Sequence, residues 1–382
     1  MDIDEVLTRG VEKILPSKES LKNLMEAKKI TLYQGFDPSS DSLHLGNLVG
    51  IMKLAQFQKL GHKIIFLVGD FTGMIGDPTD KLAVRKKLTR DEVLKNSSLW
   101  KDQINNILNF EGENAAELKY NSEWSDKINF KDLIDITSNL TVQQLIERDM
   151  FQKRLKDGKP IYLHEFLYPV AQGYDSAEMG VDLEIGGTDQ IFNMLIGRSL
   201  SKALKNIDKY VLGTKLLVDD NGEKIGKTTG NALFLSSGPE KFYGGVMSFP
   251  DEGIYLTYEL LTNIDLKGLE QAIKKDPMGQ KKALAWEIVK NIWGNEKADL
   301  AQESFEKTFQ DNTPVFDQMV NALENLASTI APYTSLKSTT DAKRLISQQA
   351  VDVNGETITN PGHKLKSGDE VKVGEKVFLK IK

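Results

Sequence analysis

The sequence predicts an α/β fold built on a doubly wound parallel sheet, followed by an α-helical region and a small α+β module. Strand and helix patterns alternate over residues 1–229, as is typical of a parallel sheet covered by helices. Helical patterns dominate from there to about residue 330, and short strands return toward residue 382. A chain of 382 residues is long enough for two or three such domains with a large core.

The first strands and helix of the sheet are predicted between residues 30 and 69. A short strand is expected over 30–34, and a helix that follows His44 ends at Gly61. The apolar run at 63–69 is typical of a strand buried on both faces of a parallel sheet.

The alternation then continues to residue 218. Thr89 and Glu92 form a capping-box pattern, which predicts a long helix toward Phe110. Another helix is predicted from Thr141 through Leu155. Further strands are predicted over 181–187 and 210–218, with a helix over 191–204 between them.

The last third of the chain changes pattern twice. Apolar residues recur with helical spacing over 281–294, 298–310 and 315–328, which predicts helices there. From about Ser335 the sequence predicts one short helix and several short strands, and Asn354-Gly355 is typical of a tight hairpin turn.

Composition narrows the classes of protein that fit. Apolar content of 40% and charged content of 27% are ordinary for a soluble globular protein, and no run of about 18 apolar residues is present to span a membrane. The acidic, amphipathic N-terminal stretch does not resemble a signal peptide. Cysteine is absent, which excludes disulfides and fits a cytoplasmic location, and four unclustered histidines argue against a zinc site. With a net charge of −6, any RNA contact must come from local basic patches.

Two short motifs far apart in the chain fit each other. YQGFDPSSDSLHLGN lies at 33–47 and EKIGKT at 223–228. As a pair they resemble the HIGH and KMSKS signatures with which class I aminoacyl-tRNA synthetases bind ATP. The stretches at 69–81, 165–176 and 184–190 narrow the resemblance to the tyrosyl-tRNA synthetase family, and the C-terminal tail is similar to an S4-type RNA-binding module.

The resemblance implies a three-part organisation. Residues 1–229 would form a Rossmann-like catalytic domain that binds ATP and tyrosine, with a dimer-forming insertion at about 125–185. Residues 230–330 would form the α-helical domain that binds the tRNA anticodon. Residues 335–382 would form the S4-like RNA-binding domain.

In the first motif, His44 lies between the end of a predicted strand and the start of a predicted helix. The N-terminus of a helix has unpaired N–H groups that can bind phosphate. The resemblance implies that Ser39 and His44 hold the ATP phosphates and that Asn47 lies at the ribose. Asn47 stands where the family has histidine, and its amide N–H can donate from nearly the same position. In an alternative interpretation, His44 only starts a helix and Asn47 is an ordinary surface residue. The resemblance implies further ATP contacts at Gly35, Asp37, Gly46, Gly187 and Asp189.

The second motif carries two lysines and a hydroxyl, Lys224, Lys227 and Thr228. Two ammonium groups on a loop suit a pyrophosphate leaving group whose charge grows during the reaction. Lys81 and Arg85 match a second loop of the family that reaches the pyrophosphate. The alternative for each is a solvated basic turn.

A tyrosine pocket is predicted on one helix. Tyr168, Gln172 and Asp175 fall at i, i+4 and i+7 and so share one helical face. The resemblance implies that Tyr168 and Gln172 bind the substrate ammonium group, and that Asp175 and Tyr33 bind its phenolic hydroxyl. An alternative is a structural hydrogen bond at the edge of the core. Further substrate contacts are implied at Asp77, Asn121 and Gln190, while Glu184 replaces a glutamine found in some members.

The tail is locally basic within an acidic chain. Its lysines and arginine outnumber its acidic residues, which favours a role in RNA binding over a small cap with solubilising charges. The residues expected to contact RNA are Lys343, Arg344, Lys364 and Lys366.

The function that these observations predict is tyrosine–tRNA ligase activity, with ATP as a substrate, Mg²⁺ carried by ATP, and no tightly bound metal. The implied partners are tRNA(Tyr), L-tyrosine, and a second copy of the chain in a homodimer. Three alternatives are a tryptophanyl-tRNA synthetase, a metabolite adenylyltransferase, and a non-catalytic RNA-binding relative. A substrate indole offers no phenolic oxygen to Tyr33 and Asp175, an adenylyltransferase needs no basic tail, and intact His44 argues against loss of catalysis.

Overall fold

The computed structural model describes residues 2–78, 88–218, 232–309, 316, 318–334, 336–374 and 377–382. The chain divides into two compact units, Met1–Ala301 and Gln302–Lys382. The three-part division at 229/230 and 330/335 stays a prediction.

The first unit is built on a six-stranded sheet with the order β1-β6-β5-β2-β3-β4. Its strands are β1 (Val11–Leu15), β2 (Thr31–Phe36), β3 (Lys63–Val68), β4 (Glu117–Tyr120), β5 (Leu183–Gly187) and β6 (Tyr210–Thr214). All neighbouring pairs are parallel except β1 and β6, which run antiparallel at the edge. The predicted doubly wound sheet is confirmed.

Helices surround this sheet. In the first unit they are α1 (Ile3–Val6), α2 (Lys18–Ala27), α3 (Leu45–Lys59), α4 (Thr72–Ile75), α5 (Arg90–Ser97), α6 (Trp100–Ile104), α7 (Ser122–Ser125), α8 (Phe130–Thr137), α9 (Val142–Ile146), α10 (Asp149–Lys156), α11 (Leu163–Met179), α12 (Ile191–Lys205), α13 (Pro239–Met247), α14 (Ile254–Leu261), α15 (Leu269–Lys275) and α16 (Pro277–Trp293). The next helix, α17 (Asn295–Phe309), runs across the boundary of the two units.

Helix α3 packs on β2, β3 and β5. Every residue from Leu48 to Phe57 is buried, including Lys53 and Gln56, because apolar side chains occur on all sides of the helix. Helices α11 and α12 lie against each other, and Gly173 and Gly197 leave room at their contact.

The strand order reverses between β2 and β5. From β2 the chain continues outward through β3 and β4, and it returns to the other side of β2 as β5 and β6. Such a topological switch point opens a crevice at the carboxyl ends of the strands, where doubly wound folds bind their ligands. We therefore expect a ligand site in the crevice between β2 and β5.

The second unit contains a five-stranded sheet with the order β7-β11-β10-β8-β9. The strands are β7 (Gln318–Val320), β8 (Val351–Val353), β9 (Glu356–Thr357), β10 (Glu370–Val373) and β11 (Val377–Ile381), with helices α18 (Leu326–Ile330) and α19 (Thr339–Ser347). Asn354 and Gly355 turn β8 into β9 with positive φ angles of 51° and 82°, as the hairpin prediction requires.

Three predicted helices differ in the structure. The Thr89–Glu92 capping box is present, but the helix ends at Ser97 and a separate α6 follows. Thr141 caps α9, which ends at Ile146 because Arg148 adopts an extended ψ of 128° before α10. The helix predicted over 315–328 is wrong, since Gln318–Val320 pairs in parallel with β11.

Among the described residues, no helix is long and apolar enough to cross a bilayer.

Candidate active site

The candidate site begins where β2 and β5 lie side by side. Tyr33 of β2 and Glu184 of β5 are register partners in this parallel pair, so their side chains leave the same face of the sheet. Both residues are buried. The switch point thus brings a residue of the first motif beside one of the 184–190 stretch.

His44 caps the N-terminus of α3. Its Nδ1 accepts the Gly46 N–H at 3.1 Å, and the Asn47 Oδ1 accepts the His44 N–H at 3.0 Å, which together form a capping box. Because Nδ1 is an acceptor, the neutral ring carries its proton on Nε2 and has a donor there. Asn47 is therefore part of the helix cap, which differs from the alternative of an ordinary surface residue.

The segment after the lysine motif pairs with the His44 motif. Leu45 N–H donates to the Leu233 carbonyl and Leu235 N–H to the Leu43 carbonyl, both at 2.9 Å. Phe234 is bridged to His44, and their rings meet edge to face at 6.0 Å between centroids. Lys224, Lys227 and Thr228 themselves lie outside the described residues, as do Lys81 and Arg85.

One hydrogen-bond group surrounds Asp37. The Tyr168 hydroxyl donates to Asp37 Oδ2 at 2.7 Å, and the Thr72 hydroxyl donates to Asp37 Oδ1 at 2.6 Å. Burial raises the pKa of Tyr168 well above its ordinary value, and the carboxylates of Asp37 and Asp77 add to the effect. Tyr168 therefore stays a neutral hydroxyl. Gly69 is required here, because a Cβ would lie 2.1 Å from Asp37 Oδ1.

Asp175 is a buried acceptor held by two donors. Its Oδ1 accepts the Trp124 indole N–H at 2.8 Å, and its Oδ2 accepts the Asn121 amide at 3.2 Å. Burial raises the pKa of Asp175 well above its ordinary value, against the opposing effect of these two donors. Asn121 also donates to Thr72, so the group around Asp175 is continuous with the group around Asp37.

A chain of amides links Gln172 to Asp77. Asn193 donates to both Gln172 Oε1 and Gln190 Oε1, each at 2.9 Å. Gln190 donates onward to Asp77 Oδ2 at 2.9 Å, and Arg148 lies 3.3 Å from Asp77 Oδ1. At the other end, Gln172 Nε2 donates to Glu184 Oε1 at 2.9 Å. The structure thereby brings Asp77, Gln172 and Gln190 together.

Tyr33 is bonded to a residue that the sequence did not single out. Its hydroxyl lies 2.7 Å from the Ser176 hydroxyl. Burial raises the pKa of Tyr33 well above its ordinary value, and the negative charges of Glu184 and Asp175 raise it further. Tyr33 and Asp175 are therefore electrostatic neighbours.

The remaining residues predicted to contact ATP lie at the carboxyl ends of β2 and β5. Gly35 belongs to β2, and Ser39 follows Asp37 and donates its backbone N–H to the Asp37 carbonyl at 2.8 Å. Gly187 ends β5, and a Cβ on it would lie 2.4 Å from Asp189 Oδ1. In the described part of the chain, no group of three His, Asp or Glu side chains is arranged to hold a metal ion.

The residues predicted to contact RNA lie in the second unit. Lys343 and Arg344 are exposed on α19, and Lys364 and Lys366 are exposed between β9 and β10. Arg344 is paired with the buried Asp341 at 2.6 Å and donates to Gln348 as well. The lysines carry the positive charge that this surface presents.

Sequence reasoning missed several residues that hold the site together. They are Thr72, Trp124, Arg148, Ser176, Asn193 and Lys209. Asn193 had a signal, because it stands three residues after Gln190 at the start of a helix. Lys209 had none, since a lysine beside Asp208 is typical of a solvated turn.

Comparisons with known proteins show the family of this chain. Residues 25–310 match the family model of the class I tRNA synthetases for tryptophan and tyrosine, and residues 335–371 match the S4 domain. The tyrosine–tRNA ligase of Geobacter metallireducens is 40% identical over 98% of this chain and 97% of its own length. The tyrosine–tRNA ligase of Carboxydothermus hydrogenoformans is 38% identical over 99% of this chain and 97% of its own.

Solved structures share the fold at lower identity. A C-terminally truncated mitochondrial tyrosyl-tRNA synthetase of Aspergillus nidulans superposes with a TM-score of 0.69 and 21% identity, over 80% of this chain and 94% of that one. The tyrosyl-tRNA synthetase of Archaeoglobus fulgidus complexed with L-tyrosine gives 0.61 and 22%, over 79% of this chain and 100% of that one. From the family model and the near full-length relatives, the chain belongs to the tyrosyl-tRNA synthetase family of class I.

Proposed function

We propose that this protein is a tyrosine–tRNA ligase that activates L-tyrosine with ATP and then transfers the tyrosyl group to the 3′ end of tRNA(Tyr). The observation that carries the proposal is the convergence of Tyr33, Tyr168, Gln172 and Asp175 on the switch point beside Asp77. Family membership supports the same reaction.

In the first step the tyrosine carboxylate attacks the α-phosphorus of ATP, a new O–P bond forms, and pyrophosphate leaves with the electrons of the broken O–P bond. The carboxylate is already an anion, so the step requires no general base. Positioning and electrostatic stabilisation of the phosphorus centre therefore account for the acceleration. In the second step a terminal ribose hydroxyl of tRNA attacks the tyrosyl carbonyl and AMP leaves.

The substrate ammonium group would meet a set of acceptors. Tyr168 and Gln172 supply a hydroxyl and an amide oxygen, and Asp37 and Asp77 add negative charge behind them. Gln190 donates to Asp77, and Asn121 donates to Thr72, which in turn donates to Asp37. Oxygen acceptors and carboxylates that lie close together favour the binding of a compact cation such as an ammonium group.

The phenolic end of the substrate would lie between Tyr33 and Asp175. Both residues are buried, and Asp175 is an acceptor that phenylalanine cannot satisfy. Tyrosyl-tRNA synthetases are themselves the general example of this kind of selectivity, with discrimination of about 10⁵ against phenylalanine without an editing step. The physical reason is that phenylalanine has no hydroxyl, so the buried Tyr33 and Asp175 would be left without the group that they bind.

ATP would bind where the two motifs approach each other. The positive end of the α3 dipole favours phosphate at that N-terminus, where His44 lies, and Gly35, Ser39, Asp37, Gly46 and Asn47 are nearby in the chain. Leu233–Leu235 pairs with Leu43–Leu45 only a few residues after Thr228, which supports a place for Lys224 and Lys227 beside the ATP phosphates. Lys81 and Arg85 would reach the pyrophosphate, Gly187 and Asp189 the ribose, and Mg²⁺ would arrive bound to ATP.

The tRNA would be bound by the later part of the chain. We assign residues 1–229 to catalysis, 230–330 to the anticodon and 335–382 to RNA binding through Lys343, Arg344, Lys364 and Lys366. Exposure of these four side chains supports the last assignment. The proposed reaction serves translation, and we therefore assign the protein to the cytoplasm.

A homodimer through about 125–185 is supported by the apolar side chains that this region exposes. Phe130 and Leu163 are 78% and 77% exposed, and Ile134, Val142, Leu155 and Tyr162 are also exposed. Concentrated apolar exposure marks an interaction surface. Phe130→Glu with Leu163→Glu should yield a monomer by light scattering, whereas Met278→Glu, a change at another exposed apolar residue, should leave a dimer.

The activity is tested by tyrosine-dependent exchange of labelled pyrophosphate into ATP. Tyrosine should support exchange with a far higher kcat/KM than phenylalanine or tryptophan. Exchange with tryptophan in place of tyrosine, or no exchange with any amino acid, would overturn the proposal.

A further inference from the structure

A buried lysine lies directly behind the tyrosine pocket. Lys209, which precedes β6, has a side-chain exposure of 0%, and it is ion-paired with Glu184, whose exposure is 2%. Its Nζ also donates to the Ser176 hydroxyl at 2.7 Å. Ser176 in turn contacts Tyr33, so a cation is connected to the pocket through a single hydroxyl.

The cluster is enclosed. A Cβ on Gly197 of α12 would lie 2.5 Å from Lys209 Nζ, 2.8 Å from Ser176 Oγ and 3.2 Å from Glu184 Oε2. The glycine therefore leaves the space that the three side chains occupy. Burial lowers the pKa of Lys209, and the Glu184 charge opposes that effect.

Stability alone does not account for this ion pair. A buried pair of charges loses its hydration, and apolar residues of similar volume often give an equal or greater free energy of unfolding. Both carboxylate oxygens of Glu184 are nevertheless used, Oε1 by Gln172 and Oε2 by Ser176 at 3.0 Å and by Lys209. The pair fixes the position of groups that face the pocket.

The donors present allow two arrangements of the hydroxyl protons. An ammonium group only donates, so Lys209 occupies one lone pair of the Ser176 oxygen. The single Ser176 proton then has two acceptors within reach, Glu184 Oε2 and the Tyr33 oxygen. When Ser176 donates to Glu184, Tyr33 donates to Ser176, and when Ser176 donates to Tyr33, the Tyr33 proton points elsewhere.

We propose that Lys209 is a positioning residue for tyrosine selection, because it holds the Ser176 hydroxyl where it can donate to Tyr33 while Tyr33 donates to the phenolic oxygen of the substrate. The hydrogen bonds then run in one direction, from Lys209 through Ser176 and Tyr33 to the substrate, and the substrate hydroxyl donates to Asp175. Phenylalanine has no oxygen to receive the Tyr33 proton. The inference rests on the proposed function and adds to it residues that do not touch the substrate.

Two variants separate this role from a structural one. Ser176→Ala removes the connecting hydroxyl and leaves the Lys209–Glu184 pair intact. Lys209→Met combined with Glu184→Gln removes both buried charges at similar volume, so no unpaired charge remains. Lys202→Met, which removes an exposed lysine paired with Asp208, is the matched control.

The measurement is kcat/KM for pyrophosphate exchange with tyrosine and with phenylalanine, together with the melting temperature. One missing hydrogen bond to the phenol corresponds to about a threefold to tenfold reduction of kcat/KM for tyrosine. We expect this reduction of kcat/KM for tyrosine in both variants, while kcat/KM for phenylalanine stays unchanged. The ratio of the two kcat/KM values should therefore fall. In Lys202→Met both values should equal those of the wild type.

An unchanged ratio in Ser176→Ala would overturn the inference, as would an equal reduction for both amino acids in both variants. If the double variant does not fold, Ser176→Ala decides the question by itself. Wild-type protein without tyrosine-dependent exchange would instead refute the proposed function, so the two failures are distinguishable.

Discussion

His44 and Phe234, almost half the chain apart, face each other across an antiparallel bridge, with their rings edge to face. The bridge holds Phe234 beside the N-terminus of α3. Two residues that are far apart in the sequence are therefore in contact at the start of that helix.

The first prediction concerns that lysine motif. Lys224→Ala and Lys227→Ala should each lower kcat for adenylate formation by about a hundredfold, because their charges act mainly as pyrophosphate departs. The KM for tyrosine should change little. Pre-steady-state adenylate formation measures both quantities. The exposed Lys241→Ala should behave as wild type, and unaltered rates in both motif variants would make EKIGKT a surface turn.

The second prediction concerns Asp175. Asp175→Asn keeps the size of the side chain but places an amide between the Trp124 and Asn121 donors, and one of them loses its acceptor. The single amide oxygen cannot also accept the substrate hydroxyl, and an unmet buried donor costs about 1–3 kcal/mol, so tyrosine-dependent kcat/KM should fall at least about fivefold while the KM for ATP stays near wild type. Asp208→Asn, at an exposed aspartate, is the control. Full activity with intact rejection of phenylalanine would show that the phenolic end is bound elsewhere.

The third prediction concerns RNA binding. Alanine at Lys343, Lys364 and Lys366 should weaken tRNA binding, and the slope of log affinity against log salt concentration should decrease by about one unit for each phosphate that the protein no longer neutralises. Pyrophosphate exchange should be unaffected, because these lysines lie outside the unit that holds the site. Filter binding over a range of salt concentrations measures the slope. An unchanged slope, like that expected for the exposed Lys202→Ala, would exclude these lysines from the tRNA-binding surface.

The fourth prediction concerns acid stability. His62 is buried and its Nδ1 accepts the Ile30 N–H at 3.2 Å; burial lowers its pKa from 6.5 to about 4, with Lys29 adding to the effect. Above pH 6.5 the ring is neutral in both states. Between pH 6.5 and 4 the unfolded chain binds a proton that the folded chain does not, so the free energy of unfolding falls as pH falls.

His62→Asn retains an acceptor for Ile30 and removes the titration. Urea unfolding at several pH values should show a flatter decline between pH 6.5 and 4 than in wild type. Equal slopes in wild type and His62→Asn would exclude His62 as the source.

The sequence predicted the parts whose structure is set by local patterns. The helix after His44, the capping box at Thr89, the helix start at Thr141 and the Asn354-Gly355 turn depend on residues within a few positions of each other. The common face of Tyr168, Gln172 and Asp175 follows likewise from the helical period, and α11 contains all three.

The sequence could not predict features that depend on distant partners. Gln318–Val320 has a helical apolar pattern, yet β11, about sixty residues later, pairs with it as a strand. Lys209 is likewise indistinguishable from a surface lysine until Glu184 and Ser176 are placed beside it. The buried polar partners of the site were therefore found only in three dimensions.

The antiparallel pair at the edge of the six-stranded sheet can form only late in the synthesis of the chain. Strand β1 pairs with β6, so Val11–Leu15 emerges from the ribosome long before Tyr210–Thr214 exists to receive its hydrogen bonds. An edge strand without a partner is open to pairing with other chains. The nascent β1 segment consequently needs shielding until β6 has been synthesised, and completion of the sheet coincides with synthesis of its last strand.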